Sequence, residues 1–197
     1  MKVAIIKYNA GNIYSVVHGL RRIGIEPNVT DDKSEILSAD KVIFPGVGEA
    51  SSTMAYLKAQ QLDALIKDLK QPTLGICIGL QLMCKHSEEG NTDCLGIFDA
   101  EVKCFKPRVR TEKVPQMGWN TIFDLQTNLF SRDMEQQYVY YVHSFYAEIC
   151  AQTIAKTEYL QPYSAGLHRD NFYATQFHPE KSGDLGERIL QNFIDLR

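Results

Sequence analysis

Three short apolar runs, VAIIK (3–7), VIF (42–44) and TLGI (73–76), each run into a glycine-bearing break and then into residues at helical spacing. Runs this short suit strands buried on both faces of a parallel sheet better than they suit helices. Parallel neighbours need long crossovers, and the segments between these runs supply them. Ile13, Val16, Val17, Leu20 and Ile23 recur at helical spacing until Gly24 stops them. Pro27 to Thr30 reads as a further short strand. Met54, Leu57, Ala64, Leu65, Ile66 and Leu69 predict one amphipathic helix between Glu49 and Leu69, and Leu80, Met83 and Cys84 another after Cys77.

Beyond about residue 96 the alternation stops. IFDAEVKCF (97–105), WNTIFDL (119–125), YVYYVHSFYAEI (138–149) and FYATQF (172–177) are aromatic and β-branched, with little helix between them. They predict a largely antiparallel extension, closed by one helix near 185–196 that carries Leu185, Ile189, Leu190, Phe193 and Ile194. The fold class is therefore α/β: an open, mixed, mostly parallel sheet flanked by helices, with a C-terminal antiparallel extension. No linker or repeat divides the chain, so residues 1–197 read as a single domain.

Composition narrows the function by exclusion. A net charge of −3 gives no basic surface for nucleic acid. No stretch approaches the ~20 apolar residues of a membrane span, and the N-terminus lacks a signal-peptide pattern. Five cysteines without a CxxC pair argue against disulfides and for a reducing, cytoplasmic setting. Five histidines without HxH or HxxxH spacing argue against a metal site, and no cofactor motif is present.

GICIGLQ (75–81) puts Cys77 at the end of a predicted strand and the start of a helix, the edge of an open α/β sheet where ligands bind. Gly-x-Cys-x-Gly has the build of a nucleophile elbow, in which flanking side chains would block the turn. The helix start would favour a thiolate and offer the Ile78 N–H to a developing oxyanion. By itself the motif equally suits tight packing at a strand end. FPGVGEA (44–50) should lie on the same edge, where Gly46 and Gly48 free the backbone to aim N–H groups inward. By itself that loop equally suits an ordinary strand-to-helix turn. TQFHPEKS (175–182) sets His178 and Glu180 two residues apart, so an extended backbone would project both from one face, as an imidazole base and its orienting carboxylate. Pro179 stiffens the segment.

GICIGLQ, the PGVG loop and QFHPEKS together resemble the class I, triad-type glutamine amidotransferases. YNAGN, PQMGWN (115–120) and YYVHSFYA (140–147), in this order and at this length, resemble the histidine-biosynthetic branch of that family. The resemblance spans essentially the whole chain and implies a flavodoxin-like fold. It implies Cys77 as nucleophile, His178 as general base and acid, and Glu180 as the orienting carboxylate. Gly46, Val47, Gly48 and Ile78 would form the oxyanion hole, with Val47 as the switch residue of a loop that reorients. Gln81, His143, Ser144 and Phe145 would bind L-glutamine, the backbone of 143–145 holding its amino-acid end. The implied partner is a (β/α)₈ cyclase subunit in a heterodimer, fed with ammonia. Asn9, Asn12, Pro115, Gln116, Met117, Gly118, Trp119, Asn120 and Lys181 would face it.

Bland readings stand beside these. Gln81 suits a solvent-facing helix position, Trp119 suits a core, and Lys181 suits a surface ion pair. A paralogous amidotransferase serving another synthase carries the same triad. A Cys-His γ-glutamyl hydrolase and a binding subunit without catalysis are the remaining alternatives.

Overall fold

The computed structural model describes residues 1–8, 13–46 and 48–196. The first half alternates strand and helix, with the short α2 in addition to what its pattern predicts: β1 (Val3–Ile6), α1 (Ile13–Arg22), β2 (Asn28–Thr30), α2 (Lys33–Leu37), β3 (Lys41–Phe44), α3 (Ala50–Ala59), α4 (Leu62–Asp68), β4 (Thr73–Ile76) and α5 (Ile78–Met83). The second half is mostly strand: β5 (His86–Ser87), β6 (Thr92–Asp93), β7 (Glu101–Cys104), β8 (Gln116–Thr121), β9 (Tyr138–His143), β10 (Phe145–Ala147), β11 (Thr153–Tyr159), β12 (Gln161–Arg169) and β13 (Phe172–Thr175). Helix α6 (Gly183–Asp195) closes the chain.

The main sheet has the order β11-β12-β13-β4-β3-β1-β2. The pairs from β13 through β4, β3 and β1 to β2 are parallel, and β11-β12 and β12-β13 are antiparallel. Side chains alternate faces along each strand. Val3, Ile5, Ile43, Leu74 and Ile76 join the core beneath α1 and α6, with Leu20, Ile189 and Phe193. Ala4, Ile6, Val42 and Phe44 join the opposite core, covered by Ile36, Leu57, Ile66 and Leu80 of α2 to α5. Both faces are covered, which is why these strands read as unbroken apolar runs.

Two features differ from the pattern reading. The helix expected between Glu49 and Leu69 is two helices, broken at Gln60–Gln61, with Gln61 left-handed at φ 55°. At 3.6 residues per turn, one continuous helix would carry Leu62 and Ile66 roughly a third of a turn away from Met54 and Leu57. The break brings all four into the same core. The antiparallel extension also does not stay apart. Its last strand, β13, inserts beside β4, pairing Gly75 with Ala174 and Ile76 with Thr175. Both strands are buried there, and the insertion brings the C-terminal motif to the sheet edge where Cys77 emerges. The remaining strands form a four-stranded sheet, β10-β7-β5-β6, and the β8-β9 pair. Among the described residues no helix is long and apolar enough to cross a membrane.

Candidate active site

Cys77 follows β4 with φ 53° and ψ −107°, a conformation that costs a non-glycine residue energy and is kept where surroundings force it. The surroundings are tight. A Cβ on Gly79 would lie 2.2 Å from the Phe44 carbonyl oxygen, and one on Gly75 would lie 3.0 Å from Met83 Sδ. Gly79 therefore excludes a side chain, and Gly75 leaves little room for one. The Cys77 N–H donates to the Thr175 carbonyl at 2.7 Å, which ties the elbow to β13.

That tie brings His178 alongside. Ile76 and Thr175 are level in the sheet, so the two chains leave it together. His178 Nδ1 donates to Glu180 Oε1 at 2.7 Å, and both side chains are almost fully buried. The pair does not form on extended backbone as the spacing suggested. Residues Pro179–Lys181 make a 3-10 turn, whose first position suits the fixed φ of proline. Nδ1 carries a proton because a carboxylate only accepts, so Nε2 is the nitrogen left to give or take a proton on the Cys77 side. Burial alone would lower the His178 pKa. Attraction to the adjacent Cys77 sulfur and to Glu180 outweighs burial and raises it to about 10. The imidazolium is thereby stabilised between sulfur and carboxylate.

Backbone clamps fix the pair. The His178 N–H donates to the Tyr140 carbonyl at 2.9 Å. Ser182 Oγ donates to the His178 carbonyl at 2.7 Å and accepts the Tyr140 N–H at 3.0 Å. From behind, Gly19 of α1 lies against Glu180, where an added Cβ would sit 2.9 Å from Glu180 Cβ.

The cleft above Cys77 holds about 370 Å³ and is lined by Gly48, Ile78, Gln81, Glu89, Pro115, Val142, His143, Ser144, Phe145 and His178. A cleft of the same volume lies beside Lys2, Glu26 and Glu35 at the amino ends of the strands, and it has no cysteine or imidazole among its lining residues. The first N–H groups of α5, at Ile78 and Gly79, have no acceptor within the helix and follow directly on Cys77. Gly46 is pressed onto this helix start, since a Cβ there would fall 1.8 Å from Ile78 Cγ2. The Tyr8 hydroxyl donates to the Pro45 carbonyl at the root of the same loop. Val47 lies outside the described residues, as do Asn9 and Asn12.

Gln81 is buried, not solvent-facing: its Nε2 donates to the Phe145 carbonyl at 2.8 Å and to Gln176 Oε1 at 3.1 Å. His143 is also buried, and desolvation lowers its pKa to about 4, which leaves it a neutral structural imidazole rather than a rival base. The PQMGWN segment divides. Met117 and Trp119 are 66% and 55% exposed, so the lone tryptophan is not core. Trp119 meets the Tyr140 ring edge-on at 6.0 Å, and Tyr138 nearby on β9 is 59% exposed. Pro115 is exposed and lines the cleft, Gly118 and Asn120 are half-buried, and Gln116 turns inward at 3% exposure. Lys181 is half-buried on the 3-10 turn.

Three contributors carry no signal of their own in the sequence. Gln176, two residues before His178, donates to the Cys77 sulfur at 3.7 Å. Ser182 is the clamp described above. Glu89 is half-buried in the cleft wall and accepts the Ala50 N–H at 2.8 Å, with burial raising its pKa. Only its distance from every other motif kept it out of sight.

A strained cysteine, a carboxylate-held imidazole and helix-start N–H groups in one cleft can carry out acyl transfer through a thioester. The family model described as "Glutamine amidotransferase class-I" matches residues 4–196. The chain is 61% identical, over 100% of both sequences, to the "Imidazole glycerol phosphate synthase subunit HisH" of Bacteroides thetaiotaomicron. It is 40% identical to the protein of that name from Idiomarina loihiensis, over 100% of this chain and 98% of that one. A solved "glutamine amidotransferase" superposes with a TM-score of 0.76 at 15% identity, covering 99% of this chain and 98% of that one. A putative GMP synthase protein from Thermoplasma acidophilum superposes at 0.73 with 22% identity, covering 98% and 92%. At such identities these two likenesses speak for the fold.

Proposed function

The chain belongs to the class-I glutamine amidotransferase family, and from that premise we propose that it is the glutaminase subunit of imidazole glycerol phosphate synthase. It hydrolyses L-glutamine to glutamate and ammonia and hands the ammonia to a (β/α)₈ cyclase subunit, in a cytoplasmic heterodimer. Two relatives of that name, at 61% and 40% identity over essentially full length, favour this branch over a paralogous synthase or a γ-glutamyl hydrolase.

The observation that carries the chemistry is the buried His178–Glu180 pair, 2.7 Å apart, beside the cysteine elbow. Cys77 sulfur attacks the side-chain carbonyl carbon of glutamine, and the carbonyl oxygen becomes an oxyanion near the Ile78 N–H and the Gly46–Gly48 loop. As the C–N bond breaks, the His178 imidazolium gives its Nε2 proton to the departing nitrogen, and ammonia leaves a γ-glutamyl thioester. The neutral imidazole then takes a proton from water, which attacks the thioester. Collapse of the second tetrahedral species returns the thiolate and imidazolium and frees glutamate. Glu180 holds the tautomer and stabilises the imidazolium throughout.

Glu89 meets the α-ammonium of the substrate, because it is the one carboxylate among the residues lining the cleft. Gln81 and the turn 143–145 hold the amino-acid end. The exposed Met117–Trp119 face, with Tyr138, receives the cyclase, as aromatic anchors do at interfaces. Free ammonia is mostly protonated in neutral water, so delivery across a shielded interface preserves the nucleophile.

Glutamate release by the purified chain, alone and mixed with a histidine-pathway cyclase and its ribulosyl-nucleotide substrate, tests this. Little activity alone and a large rise in the mixture, absent in Cys77→Ala, is expected. High activity indifferent to the cyclase would instead identify an unpaired hydrolase.

A further inference from the structure

Strand β8 divides its side chains between solvent and interior, and from its inward residue a line of buried polar groups crosses to the nucleophile. The Gln116 amide lies 2.9 Å from the Tyr163 hydroxyl, and that hydroxyl lies 3.2 Å from His143 Nε2. His143 Nδ1 is 2.7 Å from the Phe145 carbonyl oxygen, which also accepts from Gln81 Nε2 at 2.8 Å. Gln81 passes its second N–H to Gln176, and Gln176 reaches the Cys77 sulfur.

Counting protons gives the line a direction. The Phe145 carbonyl only accepts, so His143 Nδ1 must carry a proton. Burial keeps the ring neutral, with a pKa of about 4, so that is its only N–H proton at neutral pH and Nε2 must accept. Tyr163 therefore donates its one proton to Nε2, and its oxygen is left to accept from Gln116. The side chain stands with Oε1 toward Tyr163 and leaves Nε2 buried without a partner. A flip of the amide exchanges the two atoms in place, and the proton count requires it. The order is then Gln116 N–H to Tyr163, Tyr163 O–H to His143 Nε2, and His143 Nδ1–H to the Phe145 carbonyl. Successive donors in one direction polarise one another.

We infer that Gln116, Tyr163 and His143 are positioning residues, a one-way hydrogen-bond relay that couples the partner-facing strand β8 to Gln81 and the turn 143–145 where glutamine binds. The inference rests on the glutaminase reading for its substrate. Gln81 spends both N–H groups on Phe145 and Gln176, so its Oε1 is the acceptor left to offer the substrate. A partner pressing on Met117 and Trp119 displaces Gln116 beside them and so retunes glutamine binding. None of the three relay side chains contacts the reacting sulfur, so the effect falls on KM more than on kcat.

The test begins with ¹⁵N NMR of the His143 imidazole in the full chain between pH 5.5 and 8, assigned with His143→Gln. A proton on Nδ1 and a bare Nε2 throughout is expected; a proton on Nε2 overturns the relay. Gln116→Glu, an acceptor when ionised, reverses the Tyr163 proton and should force a proton onto His143 Nε2; an unchanged spectrum also overturns it. In the complex with the cyclase, Gln116→Leu should raise the KM for glutamine about tenfold while kcat falls by less than about threefold. An unchanged KM, or a loss confined to kcat, contradicts the coupling. A parent complex without Cys77-dependent hydrolysis would sink the glutaminase reading separately, with the NMR result still deciding the relay.

Discussion

The chemistry proposed for Cys77, His178 and Glu180 rests on confinement, and confinement makes their behaviour predictable. Glu180→Gln keeps the shape and an acceptor oxygen but loses the charge that stabilises the imidazolium, so glutamine hydrolysis should fall by about 10²–10⁴-fold with little change in fold. Steady-state kinetics with circular dichroism would check it. The two buried histidines should give stability opposite pH dependences. His178 titrates at about 10 when folded against an ordinary 6.5, so its contribution is full below about 6.5 and is lost as pH rises through about 10. His143 titrates at about 4, so between about 6.5 and 4 the unfolded chain binds a proton that the folded chain excludes, and stability falls as pH falls through that window. Thermal melts of the parent, Cys77→Ala and His143→Gln should show the alkaline loss shrink in the first variant and the acid loss shrink in the second. The elbow and the His-x-Glu pair were legible because each is local: glycines where sterics leave no room for a side chain, and two residues of one short segment. Gln176, Ser182 and Glu89 were not, because what they do depends on partners far along the chain, such as Gln81, 95 residues from Gln176.

At the scale of elements, the site depends on β13 entering the parallel sheet next to β4 and on α1 backing the turn that follows it. Gly19→Ala puts a methyl 2.9 Å from Glu180 Cβ and 3.3 Å from Leu190 Cδ1. The 3-10 turn must give way, and misplacement of a catalytic group costs far more rate than stability. Glutaminase activity should fall at least about tenfold while the melting temperature moves by only a few degrees. Equal small losses in both would show that α1 merely packs. The alternating first half was readable as strands and helices because buried parallel strands are apolar on both faces. Pattern could not supply the re-entry of β13, since FYATQF reads alike in either sheet, nor the break at Gln61, since Leu65 and Ile66 extend either phasing. The turn after His178 was hidden for a related reason: proline fits both extended and 3-10 backbone.

At the scale of the whole molecule, the cleft opens beside a face that a lone soluble chain has little reason to expose. Met117, Trp119 and Tyr138 leave apolar surface in one region of the β8-β9 pair. Trp119→Ala should weaken association with the cyclase by about 2 kcal/mol or more, as interface anchors do, and leave the stability of the free chain within about 0.5 kcal/mol. Titration calorimetry and melting of the free chain would separate the two. The central claim, that glutamine is cleaved through a thioester on Cys77, has a more direct test. The complex is mixed with glutamine, quenched in acid within a turnover, digested and examined by mass spectrometry. A γ-glutamyl adduct on the peptide carrying Cys77, accumulating before glutamate release becomes steady, is the predicted result. Hydrolysis that proceeds with that peptide unmodified, or with the adduct on Cys84, Cys94, Cys104 or Cys150, would contradict it.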